Sequence, residues 1–309
     1  MLALALGLVT VAACGGGPRK PATATPSATE IGRSVTAQRQ MIAVANPVAA
    51  KAGLDILQKG GSAVDAAIAA QMVLGLVEPQ SSGIGGGGFM MHFAAKTGAV
   101  TAYDGRETAP ASATPKLFLR ANGERMGFYE AVVGGTSVGV PGILRMLEMA
   151  HKEHGKLPWK DLFQPAIELA EKGFEISPRL ARQIAEDGHL KTFPGAYAYF
   201  YDEQGNPKAA GTKLVNAAYA ETLKAVATNG ADAFYSGAIA RDIAATVRGA
   251  HLNPSGMTEK DIAGYQAKKR EPVCLLYRRW LVCGMPPPSS GGITTLQILG
   301  MLQRFDLTE

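Results

Sequence analysis

The fold is decided by Glu78-Pro79-Gln80-Ser81-Ser82-Gly83-Ile84-Gly85-Gly86-Gly87-Gly88-Phe89-Met90. Four consecutive glycines, Gly85, Gly86, Gly87 and Gly88, separate a long apolar run typical of a helix from a short apolar run typical of a strand. Glycine has no Cβ and readily adopts positive φ, so another backbone or a ligand can come close. Four glycines inside a domain also cost chain entropy. The run therefore predicts either a tightly packed strand entry or a turn that faces a ligand.

A phosphate-binding loop is a poor interpretation of this run. No Gly-Lys-Ser or Gly-Lys-Thr ending follows Gly88, and residues 89–93 are typical of a strand. A dinucleotide or nucleotide phosphate would need the N-terminus of a helix at that point. The sequence therefore predicts no nucleotide cofactor here.

Composition indicates a globular protein. The 309 residues are 47% hydrophobic and 18% charged, and this length suffices for one large domain or two small ones. The net charge is +5. No dense lysine and arginine stripe alternates with aromatic residues, so no nucleic-acid partner is predicted.

The N-terminus is typical of an export signal. Residues 1–13 form an apolar run that is too short to span a bilayer and resembles the hydrophobic region of a secretory signal. Residues 11–15 resemble a bacterial lipobox, in which Cys14 becomes the lipidated N-terminus. We therefore expect a signal peptide over 1–14, a flexible linker over 15–40, and a folded domain over 41–309. The expected product is exported and is either periplasmic or a membrane-anchored lipoprotein. The alternative to the lipobox is a plain signal peptide without lipidation of Cys14.

The apolar periodicity predicts an α+β protein. A short strand over residues 42–45 precedes a helix that Pro47 opens and Gly60 ends. Ser62 and Asp65 form a capping pattern before a helix that is apolar on all sides and therefore buried. Further predicted elements are strands at 89–93 and 99–103, helices at 165–173, 179–188, 217–230, 236–247 and 293–302, and a helix start at 258. Helices that lead into an antiparallel pair favour α+β layers over regular βαβ alternation.

Cys274 and Cys283 flank residues 277–280 in a hairpin-like pattern. If Arg278 and Arg279 form a two-residue loop, the cysteines face each other at a non-hydrogen-bonded position, where side chains are closest. An exported protein could oxidise them to a disulfide. Arg-Arg is unfavourable in such a loop, so free thiols are the alternative. Two thiols without neighbouring histidines do not form a zinc site, and no metal is predicted. Four histidines lie among polar residues and are expected to face solvent rather than bind a metal: His151, His154, His189 and His251.

Arg106 is the candidate ligand-binding residue. It lies in Asp104-Gly105-Arg106-Glu107-Thr108-Ala109-Pro110, just past a predicted strand and close to the glycine run. A guanidinium presents a planar fork of donors that can hold a carboxylate with two bonds. The alternative is a structural ion pair with a neighbouring acid. No Gly-x-Ser-x-Gly elbow and no cysteine near a histidine supplies a nucleophile.

Five sequence blocks together resemble the γ-glutamyltranspeptidase (glutathione hydrolase) family. They occur in the family's order and are residues 60–67, 77–89, 104–110, 134–142 and 285–292. The resemblance covers roughly residues 41–309. One departure is Asn46-Pro47, where the family usually has His-Pro.

This resemblance implies an N-terminal nucleophile hydrolase with a four-layer αββα sandwich. The family's precursor cuts itself into a large and a small subunit. The new N-terminal threonine attacks the γ-glutamyl amide of glutathione, with its own amine as base. Water or an amino acid or peptide then accepts the γ-glutamyl group. The resemblance implies that Arg106 pairs with the substrate's α-carboxylate and that Gly85, Gly86, Gly87 and Gly88 support the pocket. No cofactor is implied.

The resemblance reaches only the front part of the family's large subunit. The Thr-Thr-His cleavage junction is absent, so the nucleophile is expected beyond Glu309, and the isolated chain is predicted to be inactive. The small subunit from the same precursor is the expected protein partner. The alternatives are a related acylase, such as a cephalosporin acylase or a polyglutamate transamidase, and a non-catalytic, lipid-tethered binding protein.

Overall fold

A computed structural model of the protein describes residues 36–307. The predicted signal segment with Cys14, and most of the predicted linker, lie outside the described residues. From Gln40 onward the chain forms one contact-dense unit. Within the part of the chain that is described, no helix is both long and apolar enough to cross a bilayer.

Helices and short strands alternate irregularly along the chain. The helices are α1 (Pro47–Gln58), α2 (Ala63–Val77), α3 (Phe128–Val132), α4 (Ile143–His154), α5 (Gln164–Lys172), α6 (Pro178–Glu186), α7 (Pro194–Phe200), α8 (Ala217–Asn229), α9 (Asp232–Tyr235), α10 (Gly237–Arg248), α11 (Glu259–Ala263) and α12 (Gly291–Leu302). The strands are β1 (Gly88–Ala94), β2 (Ala99–Gly105), β3 (Phe174–Glu175), β4 (Lys213–Leu214), β5 (Lys268–Arg270), β6 (Val273–Tyr277) and β7 (Trp280–Gly284). Within residues 36–307, 3₁₀ turns occur at Trp159–Leu162 and Leu190–Thr192.

The helices begin where local capping chemistry predicts. The side chain of Asn46 accepts the N–H of Val48 at 2.9 Å and caps α1, which Pro47 opens. Ser62 and Asp65 form the predicted capping box of α2. Since α2 is apolar on nearly all sides, it is buried along most of its length, as predicted.

A three-stranded antiparallel sheet with the order β1-β2-β5 organises the site. Met90 pairs with Tyr103, and Tyr103 pairs with Lys269. Helix α4 packs against β2, and Tyr103 is fully buried in the core. The predicted strand–turn–strand and the mixed α and β character are confirmed. The predicted strand over residues 42–45 is wrong, because that segment pairs with no strand in the described residues.

The cysteine hairpin has the predicted register. Cys274 pairs with Cys283 across β6 and β7, and Tyr277 pairs with Trp280. A disulfide joins the two cysteines, whose Cα atoms are 4.1 Å apart, as expected for a non-hydrogen-bonded pair. The tight loop requires positive φ, and Arg278 supplies it at 55°, a conformation that is costly for a residue with a Cβ.

One apolar surface stays uncovered in the described part of the chain. Helix α12 packs on β6 and β7, yet none of its residues is buried. Met301 on this helix is 60% exposed, and Trp280 and Leu281 on the adjoining strand are 61% and 68% exposed. Several large apolar side chains of α12 and the adjoining hairpin are thus open to solvent within residues 36–307.

The expectation that the histidines face solvent is wrong for His151 and His154. The ring of His154 on α4 stacks on that of His92 on β1, with 3.8 Å between centroids. Its Nε2 lies 2.8 Å from the hydroxyl of Tyr103. His151 contacts the backbone carbonyl of Leu157. Both imidazoles therefore belong to the contacts of α4 with its neighbours.

The stacked imidazoles make stability depend on pH. Burial, and then the nearby charge of protonated His154, lower the pKa of His92, although Glu153 opposes this. The folded protein therefore binds fewer protons than the unfolded chain, whose histidines have a pKa of about 6.5. Stability should be full above that pH and should fall as the pH drops below it. In urea unfolding of the purified protein, the midpoint urea concentration should decrease less for His92→Gln than for the parent when the pH is lowered from 7.5 to 5.5.

The control for this prediction is His251→Gln, because His251 is exposed and should leave the pH dependence as it is in the parent. An equal decrease in midpoint with pH for the parent and His92→Gln would show that His92 does not contribute to the pH dependence of stability.

Candidate functional site

Three elements converge on one cavity. The loop after α2 carries the glycine run into β1, the end of β2 carries Arg106 and Glu107, and α4 begins beside both. The cavity has a volume of about 810 Å³, and its lining includes Arg106, Glu107 and the glycines Gly85, Gly86, Gly87 and Gly88. The structure thus brings together the residues that the sequence singled out, whereas Cys274 and Cys283 are not among the residues that line it.

The glycine run serves close packing rather than unusual backbone conformation. None of Gly85, Gly86, Gly87 and Gly88 has positive φ, so that part of the sequence argument is wrong. Gly87 is the position where a side chain does not fit. A Cβ there would collide with the carbonyl oxygen of Gly105 and would lie 2.8 Å from the backbone nitrogen of Glu107. The missing side chain lets the loop lie directly against the end of β2.

The N-terminus of α4 fixes the same loop. The carbonyl of Gly86 accepts the N–H of Gly142 at 2.9 Å and that of Ile143 at 3.1 Å. The first N–H groups of a helix have no partner within the helix, and here the glycine run supplies one. The loop is therefore held by backbone contacts from β2 and α4.

The side chain of Arg106 is accessible at the cavity. It is 58% exposed, and its Nη1 lies 3.1 Å from Oε2 of Glu107. That oxygen is buried and makes no hydrogen bond, so the two groups form an ion pair without hydrogen-bond geometry. A half-exposed pair of this type is weak. The guanidinium is therefore not enclosed by an internal carboxylate, and its donors can reach an incoming anion.

The backbone of Arg106 is held on both sides. Its N–H donates to Oδ1 of Asp104 at 2.9 Å, and its carbonyl accepts the hydroxyl of Tyr265 at 2.8 Å. Oδ2 of Asp104 accepts from Nε of Arg270 at 2.6 Å. Burial, followed by the negative charges of Asp104 and Glu107, raises the pKa of Tyr265 to about 12, so this hydroxyl remains a donor at neutral pH.

Sequence reasoning missed this set of contacts. A signal for Asp104 was present, since an aspartate often accepts the N–H two residues later. Nothing in the sequence joined Tyr265 to Arg106, because the two positions are 159 residues apart.

A buried carboxylate anchors the start of the glycine loop. Glu78 is 2% exposed and ends α2. It accepts from Nδ2 of Asn46 at 2.8 Å, from Nε2 of Gln80 at 2.6 Å and from Nη1 of Arg179 at 2.8 Å. Three charge-assisted bonds of this kind offset the cost of burying the carboxylate. Asn46, at the one departure from the family pattern, therefore both caps α1 and supports the site.

The arrangement suits recognition of a small carboxylate. Arg106 supplies the positive charge, and the lining holds no lysine, histidine or cysteine. The described part of the chain contains no group of three or more histidine, cysteine, aspartate or glutamate side chains arranged to hold a metal ion.

Comparison with known proteins identifies the family. The sequence model of the family described as Gamma-glutamyltranspeptidase matches residues 49–309. The chain is 43% identical over 269 residues to the glutathione hydrolase proenzyme of Bacillus subtilis (strain 168), which covers 87% of this chain and 45% of that protein. It is 35% identical over 282 residues to the acylase ACY 1 proenzyme of Pseudomonas sp. (strain SE83), across 89% of this chain and 50% of that protein. The chain thus spans about half the length of these curated relatives.

A solved structure agrees with these matches. The crystal structure of Helicobacter pylori γ-glutamyltranspeptidase superposes with a TM-score of 0.84 at 33% identity, over 89% of this chain and 78% of that one. The mixed α and β architecture described above is therefore the fold of this family of enzymes. The family match, the sequence identities and the shared fold agree, and the chain belongs to the γ-glutamyltranspeptidase family.

Proposed function

We propose that this chain forms the substrate-carboxylate side of an enzyme that cleaves the γ-glutamyl amide of glutathione and transfers the γ-glutamyl group to water or to an amino acid or peptide. The observation that carries the proposal is the accessible guanidinium of Arg106, which lines the cavity beside the glycine run. In this proposal Arg106 pairs with the α-carboxylate of the γ-glutamyl group through charge-assisted bonds. Gly85, Gly86, Gly87 and Gly88 support the pocket without taking part in chemistry.

The reacting groups belong to another segment in this proposal. A threonine nucleophile, with its own amine as base, would lie in a small subunit produced by cleavage of the same precursor. Two observations support this division. The chain spans 45% of the Bacillus subtilis proenzyme, and α12 with the adjoining hairpin leaves apolar surface uncovered. Strands of the small subunit would complete the four-layer αββα sandwich, and the 309 residues alone are expected to show no turnover.

The proposed location is outside the cytoplasm. The proposed organisation is a signal peptide over 1–14, a linker over 15–40 and the large-subunit domain over 41–309. The lipobox-like Cys14 supports a lipid tether on the membrane surface. An enzyme of this type requires no cofactor in the proposed mechanism.

A related acylase is the second candidate, since the chain also resembles the acylase ACY 1 proenzyme. The two functions differ in the acyl group that they accept. Hydrolysis of glutathione and of a glutaryl amide by the complete gene product separates them, because a glutaryl group lacks the α-amino group but keeps a terminal carboxylate. Faster release of glutamate from glutathione is the expected result. Preference for the glutaryl amide would support the acylase. Hydrolysis of neither compound would favour a non-catalytic binding protein.

A further inference from the structure

We propose that Tyr265, Asp104 and Arg270 are positioning residues that set the direction of the Arg106 side chain toward the bound carboxylate. This inference rests on the proposed function, in which Arg106 binds that group. None of the three side chains needs to touch the substrate. They would act through the backbone of Arg106, whose N–H and carbonyl both bond to side chains.

The three residues form one connected unit. Arg270 lies on β5 and pairs with Asp104 at the end of β2, where Asp104 is buried. Tyr265 follows α11, and two residues separate it from β5. A single stretch, residues 265–270, therefore supplies both the donor to the carbonyl of Arg106 and the cation that holds the acceptor of its N–H.

The packing leaves the Tyr265 hydroxyl little choice of position. Tyr265 is 6% exposed, and its ring stacks on Tyr235 with 5.9 Å between centroids. Gly142 gives the hydroxyl its space, because a Cβ on Gly142 would collide with the oxygen of Tyr265 and with the carbonyl oxygen of Gly105. The α4 start, the end of β2 and Tyr265 thus meet at one point.

Holding the backbone matters because the Arg106 side chain itself has no strong partner. Its contact with Glu107 lacks hydrogen-bond geometry, and a long exposed side chain samples many rotamers. A binding group must be held within about 0.5 Å of its productive position by its supporting residues. Fixing both polar atoms of the Arg106 backbone restricts where its side chain can originate and point.

The test compares two donors in the complete gene product. One is a γ-glutamyl anilide, and the other is a γ-aminobutyryl anilide, which lacks only the α-carboxylate. The donor ratio is kcat/KM for the γ-glutamyl anilide divided by kcat/KM for the γ-aminobutyryl anilide. Tyr265→Phe removes one hydroxyl and should lower this ratio roughly five- to tenfold, in line with one lost hydrogen bond. Asp104→Asn keeps an oxygen for the N–H of Arg106 and should lower the ratio less.

Tyr235→Phe is the matched control. Tyr235 is a buried tyrosine whose hydroxyl accepts the N–H of Arg145 and does not contact Arg106, so the ratio should stay at the parent value. An equal loss for both donors in Tyr265→Phe would mean a merely structural role and would overturn the proposal, as would an unchanged ratio. Addition of Tyr265→Phe to Arg106→Ala should lower the ratio no further.

Failure of the proposed function gives a different result. If Arg106→Ala leaves the donor ratio unchanged, Arg106 is not the carboxylate partner. If the parent turns over neither donor, the proposed activity is absent. In either case both proposals fall. If Arg106→Ala lowers the ratio and Tyr265→Phe does not, the proposed function stands and the positioning role alone is overturned.

Discussion

Arg106→Ala in the complete gene product is expected to raise KM for a γ-glutamyl donor by a factor of about 30 to 1,000. That range corresponds to a loss of about 2–4 kcal/mol, because a charged ligand group loses its charged partner. The effect should fall mainly on KM, since the α-carboxylate is bound alike before and during the reaction. Steady-state kinetics with glutathione as donor measure it.

Two further variants sharpen this prediction. Arg106→Lys keeps the charge but loses the planar fork, so its KM should lie between those of the parent and Arg106→Ala. Arg241→Ala removes an exposed arginine on α10 and should leave KM at the parent value. A parent-like KM for Arg106→Ala would remove Arg106 from the site.

Among the variants proposed for this protein, Asp65→Ala should cause the largest loss of stability, about 3–5 kcal/mol in the free energy of unfolding. Asp65 is fully buried, and its Oδ2 accepts the N–H groups of Ser62, Lys156 and Leu157 at 2.8, 2.9 and 3.1 Å. Alanine would leave these three partly buried N–H groups without the carboxylate that accepts them, and a lost hydrogen bond to a charged group costs about 1.5–3 kcal/mol. The contacts join the start of α2 to the segment after α4, so both elements should loosen.

Urea unfolding of the purified protein measures this change. The control is Asp55→Ala, because Asp55 is 41% exposed and pairs only with Lys51 one helical turn away, a pair worth well under about 1 kcal/mol. Asp65→Asn keeps one oxygen and should give an intermediate loss. If Asp65→Ala cost no more than Asp55→Ala, the buried carboxylate would not be a structural anchor.

Local rules predicted the parts of the fold that depend on local chemistry. Proline and capping side chains marked the starts of α1 and α2, and glycines marked the ends of the later helices, to within about two residues. The strand–turn–strand and the register of the cysteine hairpin follow from alternation and loop length. The position of Arg106 beside the glycine run also followed from the order of these elements.

Contacts between distant parts of the chain could not be predicted in this way. The segment over 42–45 has the composition of a strand, but a strand requires a partner, and the described residues offer none. The anchoring of Glu78 by Arg179, and of Arg106 by Tyr265, joins positions more than 100 residues apart. Close approach of another backbone was one of the two predicted roles of the glycine run, whereas the approaching segment, the end of β2, is identified only by the structure.

Asp104 and Tyr265 bond only to main-chain atoms of Arg106. These bonds therefore do not depend on which side chain occupies that position. A single codon change could install a shorter, uncharged or acidic group there while the scaffold stays intact. If Arg106 binds the donor as proposed, selectivity for the acyl donor can change without loss of the architecture. That separation offers a simple route by which one ancestral framework could give rise to descendants with different preferences.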